Sequence, residues 1–386
     1  MRSRTGLDPH PPRTNWVVVG FVLIALAIAL IPVLLHLAPP PARGAGIAFV
    51  YLPALLAAAA CYQFDRTFSK KEKSEALFIC IAFAFLSNYL HAWLVDMGPG
   101  LTAATLDWQI TLHKSVIDLS PEALPHSYRF LPNSVVRLFE QVTGDFSLAR
   151  DTYRNLFGVL LFYALYRFAR LFLLHGGALF SLALWTVVCT VSFRYYLGQL
   201  TDPISHLSFI LAFIFIETEQ FVYLVLTLMI GCLAKETVLA MVGYYALFRW
   251  REKSYLLKLI ILVAGSLAVY LAARAWVLHG VPDYAQISGV AFDHVKRNWA
   301  DYPWSLPAFL YTVGIFVPFV IAGWRKTPWQ LRSLALYLFP VLIISSLFFS
   351  WLWETRNFMP LVAVLTVLTV YHLVPGERAP IKQGTS

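Results

Sequence analysis

The 386-residue chain is 59% hydrophobic and only 13% charged, and its mean hydropathy is +0.66, a balance that excludes an ordinary water-soluble domain, where about a quarter of residues are charged. The net charge of +9 does not point to nucleic acid, because the basic residues sit in short clusters beside apolar runs, where they orient a chain against anionic lipid. Cys61, Cys80, Cys189 and Cys232 fall in or beside apolar segments without disulfide-framework or zinc-site spacing.

Apolar segments run at about 15–38, 45–62, 75–96, 152–173, 176–196, 203–217, 220–234, 236–249, 255–278, 304–323, 330–352 and 357–374. A helix crosses the hydrocarbon core with about 20 mostly apolar residues. The expected fold is therefore all-α: a polytopic transmembrane bundle of about 10–12 helices, one membrane domain over residues 1–374, and a disordered tail from 375 to 386. The first run is too long for a cleaved signal, and more runs follow it. The stretch 203–249 admits two forms, separate short helices or a re-entrant hairpin followed by one tilted helix.

Two connections are long, 97–151 and 279–303. The first carries an amphipathic stretch from Asn133, with Asn133 or Ser134 available as N-cap, which reads as an interfacial helix. Basic residues beside spans stay in the cytoplasm. Placing the N-terminus there puts Arg66, Lys70, Lys71, Arg167, Arg170, Arg249, Arg251, Lys253, Arg325, Lys326 and Arg378 on one side. Both termini are then cytoplasmic, and both long connections face the other way, the periplasm or exterior of a bacterial inner membrane.

An ionised side chain within a bilayer costs about 2.5–3.5 kcal/mol, so such residues face a cavity or a partner. Asp96 and Asp107 lie near the first long connection, and Asp107 is followed by Ser127-Tyr128-Arg129-Phe130-Leu131-Pro132. An acid there suits a general base toward a hydroxyl, and Arg129 is a planar fork fit for a lipid phosphate; the plainer readings are a solvated loop carboxylate and a snorkelling interfacial arginine. His126 and Tyr128 accompany them. Asp202 and His206 stand one turn apart, either a helix cap with a neighbour or the mouth of a cavity. Lys235 and Glu236 interrupt an apolar run, as neutralisers of partners or as markers of a polar interior. Glu354 and Arg356 read as a salt bridge at a helix start. Asp293-His294 is a weak metal or phosphate signal. No zinc-protease, serine-hydrolase, P-loop or dinucleotide motif occurs.

The series Asp107…Tyr128-Arg129-Phe130-Leu131-Pro132, Thr201-Asp202-Pro203, Ala234-Lys235-Glu236-Thr237 and Glu354-Thr355-Arg356-Asn357-Phe358-Met359-Pro360 resembles the GT-C superfamily of polytopic glycosyltransferases, loosely over residues 88–360. The resemblance implies sugar transfer from a polyprenyl-phosphate carrier on the non-cytoplasmic face, to an acceptor the sequence does not name. It places the catalytic base or metal-linked carboxylate on Asp107, with Asp96 as fallback and Asp202 as a further candidate, and the phosphate clamp on Arg129 and Arg356. Tyr128, His126, His206, Lys235, Glu236 and Glu354 are the remaining substrate-binding candidates. It leaves room for a divalent cation, although no metal motif is present. Two departures stand out: the long loop follows the third apolar segment rather than the first, and it holds no adjacent acidic pair. The rival expectations are a transporter or flippase of lipid-linked sugars or another anionic solute, and a surface-polysaccharide polymerase or ligase.

Overall fold

The computed structural model describes residues 48–97, 106–120, 123, 126–195, 199–278 and 290–380. The apolar segment expected at 15–38 and residues 279–289 of the second long connection lie outside the described residues. Among the described residues there is no strand, only α-helix with short 3-10 turns and one isolated bridge between Leu173 and Arg378.

The helices are α1 (Ala48–Phe64), α2 (Lys70–Met97), α3 (Leu106–Ile117), α4 (Phe130–Thr143), α5 (Phe146–Ala169), α6 (His175–Tyr195), α7 (Thr201–Glu217), α8 (Phe221–Ala234), α9 (Ala240–Phe248), α10 (Tyr255–Leu278), α11 (Val290–Ala300), α12 (Tyr302–Thr312), α13 (Val317–Gly323), α14 (Trp329–Phe349) and α15 (Met359–Leu373). Among the described residues four stretches are long and apolar enough to cross a bilayer, α2, α10, α14 and α15 together with the 3-10 turn before it from Thr355; a fifth span arises if the pair bent by 43° around residue 313 counts as one, and together they mark an integral membrane protein. The stretch 203–249 takes the form of separate short helices. A Lys235–Glu236 break folds α9 back beside α8, and Gly231 allows it: a Cβ there would meet Ser208 Cβ at 2.8 Å and Val238 Cγ1 at 2.9 Å.

Helices also occupy parts of both long connections, Leu106–Ile117 and Val290–Ala300, and three further boundaries differ from the sequence expectation. The amphipathic helix begins at Phe130 rather than at Asn133 and has no side-chain cap; Pro132 sits in its first turn, where a missing N–H breaks no helical bond. Next, α5 begins at Phe146, so 146–151 is helix rather than loop. Gly144, at φ 73°, ends α4, and Asp145 caps α5 by accepting the Leu148 N–H at 2.9 Å. Arg150 and Asp151, which break the apolar run in the sequence, pair with each other at 3.0 Å. Finally, the disordered tail expected from 375 is docked through residue 379: Glu377 accepts the Gly177 N–H at 2.8 Å, its carbonyl accepts the Leu174 N–H at 2.7 Å, and the Ala379 N–H donates to Phe172 at 2.9 Å. The start of α6 supplies unpaired N–H groups, and a carboxylate satisfies them.

The charged groups gather at two ends of the bundle. At the basic end Arg170 pairs with Glu72 at 3.1 Å, Arg249 with Glu217 at 3.1 Å, and Lys258 with Glu252 at 2.9 Å. The opposite, loop end carries α3 and α4. There α7 begins and α8 stops well short of their neighbours. Tyr153, seven residues inside α5, donates to the Leu200 carbonyl at 2.5 Å. On the other side Cys232 lies against the Ser266 carbonyl at 4.0 Å, a full twelve residues before α10 ends. At 1.5 Å per residue, α5 and α10 overtop this floor by roughly 10 Å or more, leaving a recess that α4, packed on α5, α7 and α8, partly roofs.

Candidate functional site

The floor of the recess is built from three chain reversals. The first is the start of α7. Asp202 is its second residue rather than its N-cap, which is Leu200; the carboxylate reaches back to accept the Gln199 N–H at 2.8 Å, and Pro203 takes the third position at no hydrogen-bond cost. The second reversal is the extended Lys235 that ends α8. The third is the link 350–358 between α14 and α15, which carries Glu354, Arg356 and Asn357.

Ion pairs lock the three together. Arg356 donates from Nη1 to Asp202 Oδ1 at 2.7 Å and from Nη2 to Glu354 Oε2 at 2.9 Å. Lys235 Nζ donates to Asn357 Oδ1 at 2.6 Å and lies 4.0 Å from Asp202 Oδ1. Glu354 Oε2 also accepts from Ser350 Oγ at 2.9 Å and Asn357 Nδ2 at 3.2 Å. His206 Nε2 donates to the Arg356 carbonyl at 3.0 Å. From the roof, Arg129 closes on Glu236 as a two-pronged fork, with Nε 2.9 Å from Oε2. Asp202, Lys235, Glu354 and Arg356 are all buried. Charges taken out of water in this way persist only when each has a partner.

Beside Asp202 lies a cavity of about 50 Å³ lined by Asn88, Arg154, Trp185, Asp202, His206 and Arg356 among others. That is room for about three to five waters at 10–15 Å³ each. Asn88 is buried and donates to Asn155 Oδ1 at 3.0 Å, while its own Oδ1 has no protein partner. Among the described residues, the carboxylates Asp202, Glu236 and Glu354 and the cations Arg129, Lys235 and Arg356 thus share one recess, with Arg154 lining the cavity beside them. Guanidinium and ammonium donors gathered in this way are chemically suited to an anion.

The structure brings together Asp202, His206, Lys235, Glu236, Arg129, Glu354 and Arg356. His126, half-buried, lines a second cavity of about 20 Å³ with Trp108, His113, Asn133 and Thr201, directly beside the α7 start. Tyr128 is buried under the Arg274 guanidinium, 4.3 Å from its ring centre. Asp107 is exposed in the first turn of α3 and, among the described residues, stands outside the ion-pair network, although its neighbour Trp108 faces the smaller cavity. Asp96 belongs to the last turn of α2, and its side chain lies outside the described residues. His294 packs edge-on to Trp351, ring centres 6.0 Å apart.

Sequence reasoning overlooked Arg154, a cation inside the segment expected at 152–173 that the intramembrane-charge rule would have flagged. It also overlooked Asn298. That amide donates to the carbonyls of Ser346, Leu347 and Ser350 at 3.3, 3.2 and 2.9 Å and accepts the Leu352 N–H at 2.7 Å. By satisfying the open carbonyls at the end of α14, it fixes the link that bears Arg356. Among the described residues no three His, Cys, Asp or Glu side chains converge as a metal-binding set, and Asp202 is already committed to cations, so these residues do not fit a divalent cation. No protein-family model, curated protein or solved structure matches the chain.

Proposed function

We propose that this membrane protein is a glycosyltransferase that moves a sugar from a polyprenyl-phosphate carrier to an acceptor hydroxyl at the loop end of the bundle. One observation carries the reading: Lys235 and Arg356, supplied by two of the three chain reversals, and Arg129, reaching down from the roof, meet in a recess about 10 Å below the tops of α5 and α10. A lipid-linked phosphate arriving from the bilayer presents its charge at about that depth, and a preorganised cation set there stabilises the phosphate as it leaves.

In this mechanism the acceptor hydroxyl gives its proton to Asp107, and its oxygen forms the new bond to the anomeric carbon. The bond from that carbon to the carrier phosphate breaks, and the electron pair leaves on the phosphate oxygen. An exposed base above a buried cation floor suits the two partners, since the acceptor comes from water and the donor from lipid. The basic end, with Arg66, Arg167, Arg170, Arg249, Arg251, Arg325 and Arg378, is the cytoplasmic one under the positive-inside rule; the recess then opens to the periplasm or exterior of a bacterial inner membrane, and the C-terminus lies in the cytoplasm.

Purified protein supplied with a labelled polyprenyl-phosphate sugar and a mixture of acceptors tests this directly. D107N is expected to abolish transfer while eluting as a folded species, and D202N serves as the comparison. Undiminished transfer by D107N removes Asp107 from the mechanism. Absence of transfer by the wild-type chain, together with movement of the intact lipid across liposome membranes, favours a flippase, the reading that the α8–α9 break beside the cation set also supports.

A further inference from the structure

Helix α10 is the least buried of the four long apolar helices, 17% within the bundle, and its flank shows Leu271 and Trp276 to the surroundings. Near its loop end Arg274 lies against two rings, its guanidinium carbon 4.3 Å from the centre of Tyr128 and 4.5 Å from that of Tyr270. Trp276, half exposed, meets Phe130 edge-on at 5.2 Å. An arginine among aromatics at the end of a membrane-facing helix is ordinarily an interface anchor. Here its aromatic clamp also belongs to the roof of the recess. Tyr128 is followed directly by Arg129, which closes on Glu236, and Glu236 is preceded by Lys235, which bonds Asn357 beside Arg356. Contacts and chain neighbours therefore connect the flank of α10, through Tyr128, Arg129, Glu236 and Lys235, to the link that bears Arg356. Contact with two rings restrains the guanidinium, whose planar fork of donors is of the kind that recognises phosphate oxygens in pairs.

We infer that Arg274, clamped by Tyr128 and Tyr270, is an outer subsite for the phosphate headgroup of a membrane lipid, the first station on a lateral path from the bilayer to Arg129 and Arg356. The inference rests on the lipid-phosphate half of the reading above and holds whether the lipid is then cleaved or carried.

The test measures retention of a labelled short-chain polyprenyl phosphate by the full chain in phosphatidylcholine nanodiscs. R274Q is expected to weaken retention about tenfold or more, the loss of one charge-assisted contact. Y270L, which keeps the charge and removes one face of the clamp, is expected to weaken it about two- to fivefold, and it decides the matter if R274Q fails to fold. Inorganic phosphate at equal concentration should not displace the lipid. Wild-type retention in both variants, with R356Q defective, overturns the Arg274 subsite alone. Displacement by inorganic phosphate overturns the lipid as its ligand. No retention by the wild-type chain overturns both this inference and the proposed function.

Discussion

The two ends of the bundle use the same side chains to opposite effect. At the basic end, Glu72–Arg170, Glu75–His175 and the Glu217–Arg249–Glu252–Lys258 group bind neighbouring helices and remain partly accessible, with Arg170 16% and Glu72 29% exposed. At the loop end, Arg356 and Asp202 are 6% and 7% exposed, and each holds partners from a different chain reversal. A pair near water is replaceable, because solvent takes over when one member leaves. A pair sunk in a membrane protein is not, because its orphan has no solvent to return to.

Removing one member from each end separates these cases. R356Q leaves both Asp202 and Glu354 short of their cation and is expected to destabilise the folded protein by about 3–5 kcal/mol, whereas R170Q should change stability by about 0–1 kcal/mol. Thermal unfolding in detergent, with both variants beside the wild type, measures the difference. Adding D202N to R356Q should recover part of the loss, because the double variant no longer buries an uncompensated carboxylate at that position. Equal effects at the two ends would mean that water reaches the recess freely.

The recess also depends on how closely its short helices approach. Gly231 lies against Ser208 and Val238 with no space for a methyl group, so G231A must push α8 away from α7 or from the returning turn before α9. The expected loss is about 1–3 kcal/mol, accompanied by weaker lipid-phosphate binding, because the shift moves Lys235. Unfolding and binding measured on the same preparation reveal whether both fall together; a loss of stability with undisturbed binding would detach the α8 tip from the site.

Much of this was legible in the chain. Thr201-Asp202-Pro203 announces a helix start, Lys235-Glu236 and Glu354…Arg356 announce charge in an apolar setting, and one pocket at one end is the economical way to house them. The pairings were not legible. Arg129 reads as a loop residue, yet its partner Glu236 lies 107 positions away, a distance over which composition carries no register. Boundaries failed where local polarity misled: Arg150 and Asp151 look like loop but neutralise each other inside α5, and Glu377 looks like tail but is held by the start of α6. Asp107 shows the converse. The chain offers it either as a solvated loop carboxylate or, by resemblance, as the base, while its exposure, apart from the buried network, depends on which face α3 turns to the bundle.

A third kind of pair lies between these extremes, on the roof itself. Glu140 of α4 accepts from Arg137 at 2.7 Å and faces His113 Nε2 at 3.5 Å. His113 in turn meets Asn133 at 3.1 Å through Nδ1, tying α3 to α4. The His113 imidazole first, and Arg137 second, hold the Glu140 carboxyl below its ordinary 4.5, at about 2, against the upward push of burial. A carboxyl depressed by folding lends stability that is complete above its unfolded value and fades as pH falls through the folded one, so the window lies between about pH 4.5 and about pH 2. Hydrogen exchange of α4 should quicken across that window in the wild type and much less in E140Q, with an effect on the whole protein of at most about 1 kcal/mol, the range of partly exposed pairs. Exchange that quickens equally in E140Q would show that the roof is held by its apolar face, Val135, Val136 and Phe139 against α5, rather than by this carboxylate.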